Sequence, residues 1–336
     1  MTWRISIFVL LLSIGLIAGG LWLDYQHFLS TPVATSEPKT YVEVPKGSSL
    51  RGLAERMTAQ GLLKQPYYFI ALAYLQGDQK RIKAGEYEIT PEMTPAVVLE
   101  RIASGKVVQF AITLVEGRTF RQVLAVIDGH EHFGGEGLAS LTDAELMERL
   151  GRLGEHPEGR FFPETYLFPR KATGLDVLKR AMAQMDKVLA EEWEQRQPDL
   201  PLASPYEALI LASIIEKETA VPEERPAIGG VFVRRLQRGM RLQTDPTVIY
   251  GLGERYDGNI RRADLREATP YNTYVISGLP PTPIALPGRA AIRAALQPAE
   301  GGALYFVARG DGSHVFSRTL DEHNTAVRRF ILNQNE

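Results

Sequence analysis

The hydrophobic pattern opens with residues 5–23, ISIFVLLLSIGLIAGGLWL, an apolar run without a single charge. Wound as a helix it is about 28 Å long, close to the hydrocarbon thickness of a bilayer. Residues 25–40 then turn polar, carry Pro32 and Pro38, and read as a short linker. Beyond them one layout recurs: alternating YVEV at 41–44 predicts a strand, Pro45-Lys46-Gly47 a turn, and residues 50–57 a helix behind Ser48 and Ser49. Residues 85–89, 90–94 and 95–102 repeat this order, and so do 110–115, 116–119 and 120–127. The first two units predict a small α+β module over 41–108, and the third leads into a second domain, 109–336.

In that domain residues 128–160 are rich in Gly, His and Glu, and FFPETYLFP at 161–169 is dense in aromatics and proline. An amphipathic helix follows over about 176–196, its Leu178, Met182, Met185 and Leu189 spaced to face a core. Ser204-Pro205-Tyr206-Glu207 has the form of a capping box, with Ser at the N-cap and Pro at the first helical position. It introduces ALILASII at 208–215, apolar on almost every face, which predicts a helix buried all round. The run ends in Glu216-Lys217-Glu218-Thr219, with Pro222 beyond, so a buried helix delivers carboxylates at its C-terminal end. Further elements are a helix over 226–237, a proline-rich loop over 269–288, a hairpin over 304–317 turned at Gly310-Asp311-Gly312, and a last helix capped by Thr319 and Glu322. The fold class is α+β: an N-terminal transmembrane helix (1–24), a linker, the small module, and a mixed α/β domain.

Composition adds little to this except at the N-terminus. The 336 residues have a net charge of -2, so nothing in the total points to nucleic acid. Lys80-Arg81 and Arg234-Arg235 read as solvated basic faces. The absence of cysteine excludes disulfides and thiolate metal sites. Arg4 precedes the apolar run and Lys39 is the next basic side chain to weigh, with Asp24 and Glu37 between, so the positive-inside rule puts the N-terminus in the cytoplasm and the body outside. A cleaved signal peptide is the competing reading, and either one exports the body.

Metal chemistry finds no His-Glu-x-x-His; His130 and His132 in a Gly/Glu-rich loop read as loop residues. Gly251-Leu252-Gly253 lacks the third glycine of a dinucleotide site, and no Walker sequence or Gly-x-Ser-x-Gly elbow is present. Carboxylate chemistry remains. On a helix Glu216 and Glu218 point about 200° apart, so they cannot act as a pair over one bond. A glutamate at the rim of an apolar helix has its pKa raised by desolvation and can donate a proton. The alternative is that both pair with Lys217 or nearby arginines.

The run LASIIEKETAVPEERPAIGGVFVRRLQRGMRLQTDPTVIYG resembles the signature of the endolytic murein transglycosylase (YceG-like) family. Further matches are EGRFFPETY at 158–166, YNTY at 271–274, GLPP at 278–281 and HVF at 314–316; Glu164 stands where the family more often has aspartate. The resemblance implies a membrane-anchored lytic transglycosylase, a lyase without metal or cofactor, that acts on peptidoglycan strands beside peptidoglycan synthases. It puts the catalytic acid on Glu218, followed by Thr219 as a hydroxyl residue follows the acid in other lytic transglycosylases. It implies a LysM-like module at 41–108 and marks Gln243, Asp245, Tyr271, Asn272 and Tyr274 as candidates for lining the groove, or, as loop and core residues, for holding it in shape. A glycan-binding scaffold and a lysozyme-like hydrolase are the alternatives from other classes.

Overall fold

The computed structural model describes residues 2–35 and 37–332. The chain divides into two compact units, Met1–Phe110 with Leu167–Lys171, and Ala111–Tyr166 with Ala172–Glu336.

In the first unit α1 (Thr2–Ser30) precedes β1 (Thr40–Val44), α2 (Leu50–Ala59), α3 (Pro66–Gln76), β2 (Gly85–Ile89) and α4 (Pro95–Ser104). β1 and β2 pair antiparallel, with Val42 opposite Tyr87. Their alternation sends Val42, Val44, Tyr87 and Ile89 inward, where Leu53, Met57, Phe69, Leu72, Leu99 and Ile102 close the core. Two features differ from the sequence reading. Residues 25–30, expected in the linker, continue α1, because no helix breaker occurs before Pro32 and because Phe28 and Leu29 pack against this core. Helix α3 was not expected at all. Its uniformly apolar sequence shows no period, yet Pro66 at its start and left-handed Gly77 at its end bound it as a helix.

The second unit runs β3 (Phe110–Thr113), α5 (Phe120–Asp128), α6 (Asp143–Arg149), β4 (Thr165–Phe168), α7 (Gly174–Glu194), α8 (Pro205–Glu218), α9 (Arg225–Gln237), α10 (Asp245–Leu252), α11 (Arg289–Leu296), β5 (Tyr305–Ala308), β6 (His314–Ser317) and α12 (Leu320–Val327). β3 with β4, and β5 with β6, form two-stranded sheets. Capping boxes at Thr119, Thr142, Thr173 and Thr319 start four of the helices. At α8 only half of the expected box forms. Ser204 accepts from the Glu207 N–H at 3.3 Å, while the Glu207 carboxylate turns to the Ala203 N–H at 2.6 Å.

α8 is the centre of this unit and packs against α7, α9, α10 and α11. Ala208, Leu209, Ile210, Leu211, Ala212, Ser213, Ile214 and Ile215 are all buried. Each Leu and Ile side chain among them contributes about 1.5–3 kcal/mol relative to exposure. Surface ion pairs contribute about 0–1 kcal/mol, so apolar contact fixes where α8 ends. Its one buried hydroxyl, Ser213, accepts from the Ile284 N–H at 2.9 Å and ties the proline-rich loop to the helix. α9 and α11 approach so closely that a Cβ on Gly229 would lie 2.3 Å from the Ala294 carbonyl oxygen. Beside the core, Glu158 is buried and accepts from the Phe120 N–H at 2.9 Å and the Tyr250 hydroxyl at 3.0 Å. Burial pushes its carboxyl up to about 7 against these hydrogen bonds.

Two outcomes follow from this packing. Gly229→Ala should force α9 from α11 and cost about 1–3 kcal/mol, read as a lower thermal midpoint with unchanged helix content by circular dichroism. For Glu158, the raised value means that the folded chain keeps a proton the unfolded chain has released between about pH 4.5 and 7. Its contribution to stability is therefore whole below that window and lost as pH rises through it. Glu158→Gln should gain stability relative to the parent across the window, on the order of 3 kcal/mol in all; denaturant titrations at both ends check this, and a pH-independent difference would refute it.

Candidate active site

The last turn of α8 carries Glu216, Lys217 and Glu218, and Thr219 ends the helix in extended conformation, its hydroxyl accepting from the Val221 N–H. The two glutamates diverge as helix geometry requires. Glu216 turns inward, where its carboxylate accepts from the Gly288 N–H at 2.9 Å and pairs with Arg225 at 3.1 Å. Burial raises its pKa, the Gly288 N–H and Arg225 act against that, and Glu116 adds to it. Lys217 points between them and donates to the Gly117 carbonyl at 3.2 Å, pairing with neither.

Glu218 has a different environment. Its Oε2 accepts from the Thr244 hydroxyl at 3.0 Å, and it forms no ion pair among the described residues. Burial pushes its carboxyl up to about 7, Asp245 adds to the rise, and the Thr244 hydrogen bond and the Arg235 charge oppose it. Two depressions meet at this side chain. One, of roughly 580 Å³, is lined by Arg235, Gln243, Asp245, Tyr274, Tyr305 and His314 among others; the second, of roughly 690 Å³, by Glu116, Arg118, Gln122 and Arg225. Both are open to solvent, and both are lined by Lys217 and Glu218.

The segment that presents Thr244 is built with care. Gln243 holds a left-handed φ of 52°, a costly conformation for a residue with a side chain, and its N–H donates to the Thr273 carbonyl. The Thr244 N–H donates to the Thr273 hydroxyl at 3.0 Å, and Thr247 and Thr273 share a further hydroxyl contact at 2.8 Å. Tyr274 donates to Asp245 at 2.6 Å, fixing that carboxylate at the rim. Arg235 supplies the local positive charge. Far from being part of a solvated face, it is buried, donates to the carbonyls of Leu304, Arg241 and Leu242, and lies 5.0 Å from the Tyr305 ring.

Of the residues expected to line the groove, Gln243, Asp245 and Tyr274 lie around the same depression as Glu218. Tyr271 and Asn272 do not line this cleft. Tyr271 shares a hydrogen bond with Thr282 and packs edge-on against Tyr250, and Asn272 is buried with its amide nitrogen donating to the Asp264 and Glu267 carbonyls. Their polar ends are used up in shaping the loop, which is the second role the sequence left open for them. Glu164 is exposed and contributes its backbone carbonyl to the Leu114 N–H.

Three residues beside Glu218 lie within the motifs quoted for the resemblance but were given no site role by the sequence. Thr244 and Arg235 carry no local signal, since a threonine and an arginine suit any surface. The third, His314, lines the cleft with Nδ1 2.6 Å from Glu224, which also accepts the His314 N–H at 2.8 Å. Burial pushes Glu224 up, but the bonds from His314 outweigh it and hold the carboxyl below its ordinary value. Among the described residues no cluster of three or more His, Cys, Asp or Glu is placed to hold a metal.

A sequence profile of the YceG-like family matches residues 42–329. The chain is 32% identical over 337 residues to a Bacillus subtilis protein named endolytic murein transglycosylase, covering 96% of this chain and 93% of that one. A protein of the same name from Streptococcus pneumoniae serotype 2 is 27% identical over 360 residues, 96% of this chain and 64% of its own. A crystal structure of a YceG-like protein from Listeria monocytogenes matches with a TM-score of 0.51 at 30% identity, over 86% of this chain and 99% of that one. A profile that spans most of the chain, and a relative at that identity along nearly its whole length, establish that the chain belongs to the YceG-like family.

Proposed function

We propose that this chain is an endolytic murein transglycosylase, a lyase that cuts peptidoglycan strands and leaves 1,6-anhydro ends, with Glu218 as its acid and then its base. The observation that carries the reading is a carboxyl group pushed up to about 7, without an ionic partner among the described residues, at the point where two open depressions meet. A protonated Glu218 gives its proton to the oxygen between N-acetylmuramic acid and N-acetylglucosamine, and the C1–O bond breaks with its electron pair leaving on that oxygen. Positive charge develops on the muramyl ring. The ionised Glu218 and Asp245, which faces the same cleft, stabilise it, while Arg235 steadies the new carboxylate. The muramyl 6-hydroxyl then bonds to C1 and returns its proton to Glu218. No water is consumed and the carboxyl ends as it began, so one carboxylate suffices where hydrolases need two.

A groove open on both sides of the acid suits cutting within strands. In the cell the reading extends to limiting the length of nascent strands beside peptidoglycan synthases, from a single-pass anchor in the cytoplasmic membrane with the N-terminus inside. The helix described over Ile5–Ser30 has the length and composition to cross a membrane. The same proposal assigns 1–24 to the anchor, 41–108 to a LysM-like module that holds glycan, and 109–336 to catalysis, with Gln243, Asp245 and Tyr274 contacting sugar.

Glu218→Gln, which keeps an acceptor for Thr244, should lower the yield of anhydro-muropeptides about 10²–10⁴-fold in mass spectra of digested peptidoglycan. Products with reducing ends from the parent chain would instead mark a hydrolase, a parent chain that forms no new ends would mark a scaffold, and undiminished anhydro ends from the variant would refute Glu218 as the acid. The acid must be protonated, so kcat/KM should fall above about pH 7. Thr244→Val removes a bond that favours the charged form and should move this alkaline limb to higher pH; a limb that stays put would disconnect it from Glu218.

A further inference from the structure

Helix α3 of the first unit carries an apolar face that none of the described residues covers. Its sequence, PYYFIALAYLQ, contains no charge. Phe69, Leu72 and Ala73 are buried in the core, while Tyr67, Tyr74 and Leu75 on the other side are 69%, 63% and 74% exposed. At 100° per residue these three, with half-buried Ile70 and Ala71 between them, form one stripe. Among the described residues from 31 to 110 the only other exposed large hydrophobic is Val97, at 44%. Water-facing helix surfaces carry charged residues, and an uncharged stripe of Tyr and Leu is the composition found at membrane–water boundaries.

The position of α3 identifies the boundary. The Tyr68 hydroxyl donates to Asp24 at 2.8 Å, and Asp24 is the first charged residue after the apolar run of α1. The Tyr68 ring meets Tyr25 edge-on at 5.6 Å and lies 5.5 Å from Phe28, while Tyr25 continues to Trp22 at 6.2 Å. The aromatic belt at the end of α1 thus runs directly onto α3, one tyrosine side chain away. Tyr68 also shares the side of α3 that carries Leu75, seven residues on, so the exposed stripe begins where the contact with α1 stops.

We propose that α3 is an interfacial helix whose Tyr67, Tyr74 and Leu75 rest in the headgroup–acyl boundary of the bilayer that α1 crosses. The small module is then held against the lipid surface at two points, the span and α3. This inference rests on residues 5–23 being a retained span, and the experiment separates the two. The chain has no cysteine, so single-cysteine variants of the full-length protein can be labelled cleanly. Tyr67→Cys and Leu75→Cys, with Leu12→Cys in α1, are coupled to an environment-sensitive fluorophore and reconstituted in phosphatidylethanolamine–phosphatidylglycerol vesicles. Nitroxide-labelled lipids then quench from the lipid side and iodide from the water. The labels at 67 and 75 should lose fluorescence to headgroup-proximal nitroxides and little to iodide, and the label at 12 to deep nitroxides. Iodide-accessible labels at 67 and 75, with the label at 12 still quenched deep in the bilayer, would overturn the proposal. So would labels shielded from both quenchers, which would mean that protein covers the stripe. A label at 12 that no lipid quenches would remove the span, and the interfacial helix with it.

Discussion

The site depends on a carboxylic acid held without an ion pair, among the described residues, at the end of a helix whose apolar run is fully buried. Residues 208–215 are buried on all faces, so α8 has one position in its unit and its last turn has one orientation. The cost of putting Glu218 there is borne by apolar packing and not by a salt bridge. The absence of a salt bridge leaves a large share of the acid protonated near pH 7. A guanidinium bound directly to it would favour the ionised form, as Arg225 does at Glu216 against the larger effect of burial. Arg235 is close enough to lower the energy of the anion, yet it donates to the carbonyls of Leu304, Arg241 and Leu242 and to the Gln243 side chain and makes no ion pair with Glu218 among the described residues, so it acts through its field.

The neighbouring polar residues form a support behind this arrangement. Thr273 reaches Thr244, Thr244 reaches Glu218, Tyr274 reaches Asp245, and Asn272 pins the backbone from which they project. Threonine hydroxyls suit this chain of contacts, because a neutral donor can orient a carboxyl without fixing its charge. His314, which also lines the cleft, is bonded to Glu224 in a carboxylate–imidazole pair, whereas Glu218 accepts only from a neutral hydroxyl.

Much of the frame was legible in the sequence because it follows local rules. The Ser204-Pro205 start, the unbroken apolar run and Pro222 defined α8 nearly to the residue, and the half-turn between Glu216 and Glu218 already implied different surroundings. Which of the two would be left unpaired was not legible locally, since it is decided by Gly288, Arg225 and Thr244, which lie elsewhere in the chain. Tyr271 and Asn272 have the right chemistry for sugars, but burial commits their polar atoms to the fold. Arg235 beside Arg234 looked like surface charge, and only the fold shows five-donor guanidinium chemistry being used to hold a loop. α3 lacked any hydrophobic period because both of its faces are apolar.

The unbroken passage of α1 as far as Ser30 has a mechanical consequence. A flexible stretch covering residues 25–40 would let a tethered body wander by about 20 Å around its exit point, at 5–6 Å times the square root of its length. Phe28 and Leu29 instead enter the core of the first unit as part of a rigid rod. On the proposal that residues 5–23 are a retained span, the small module stands on the bilayer as on a mast, its height and facing set by helical pitch instead of by chain statistics.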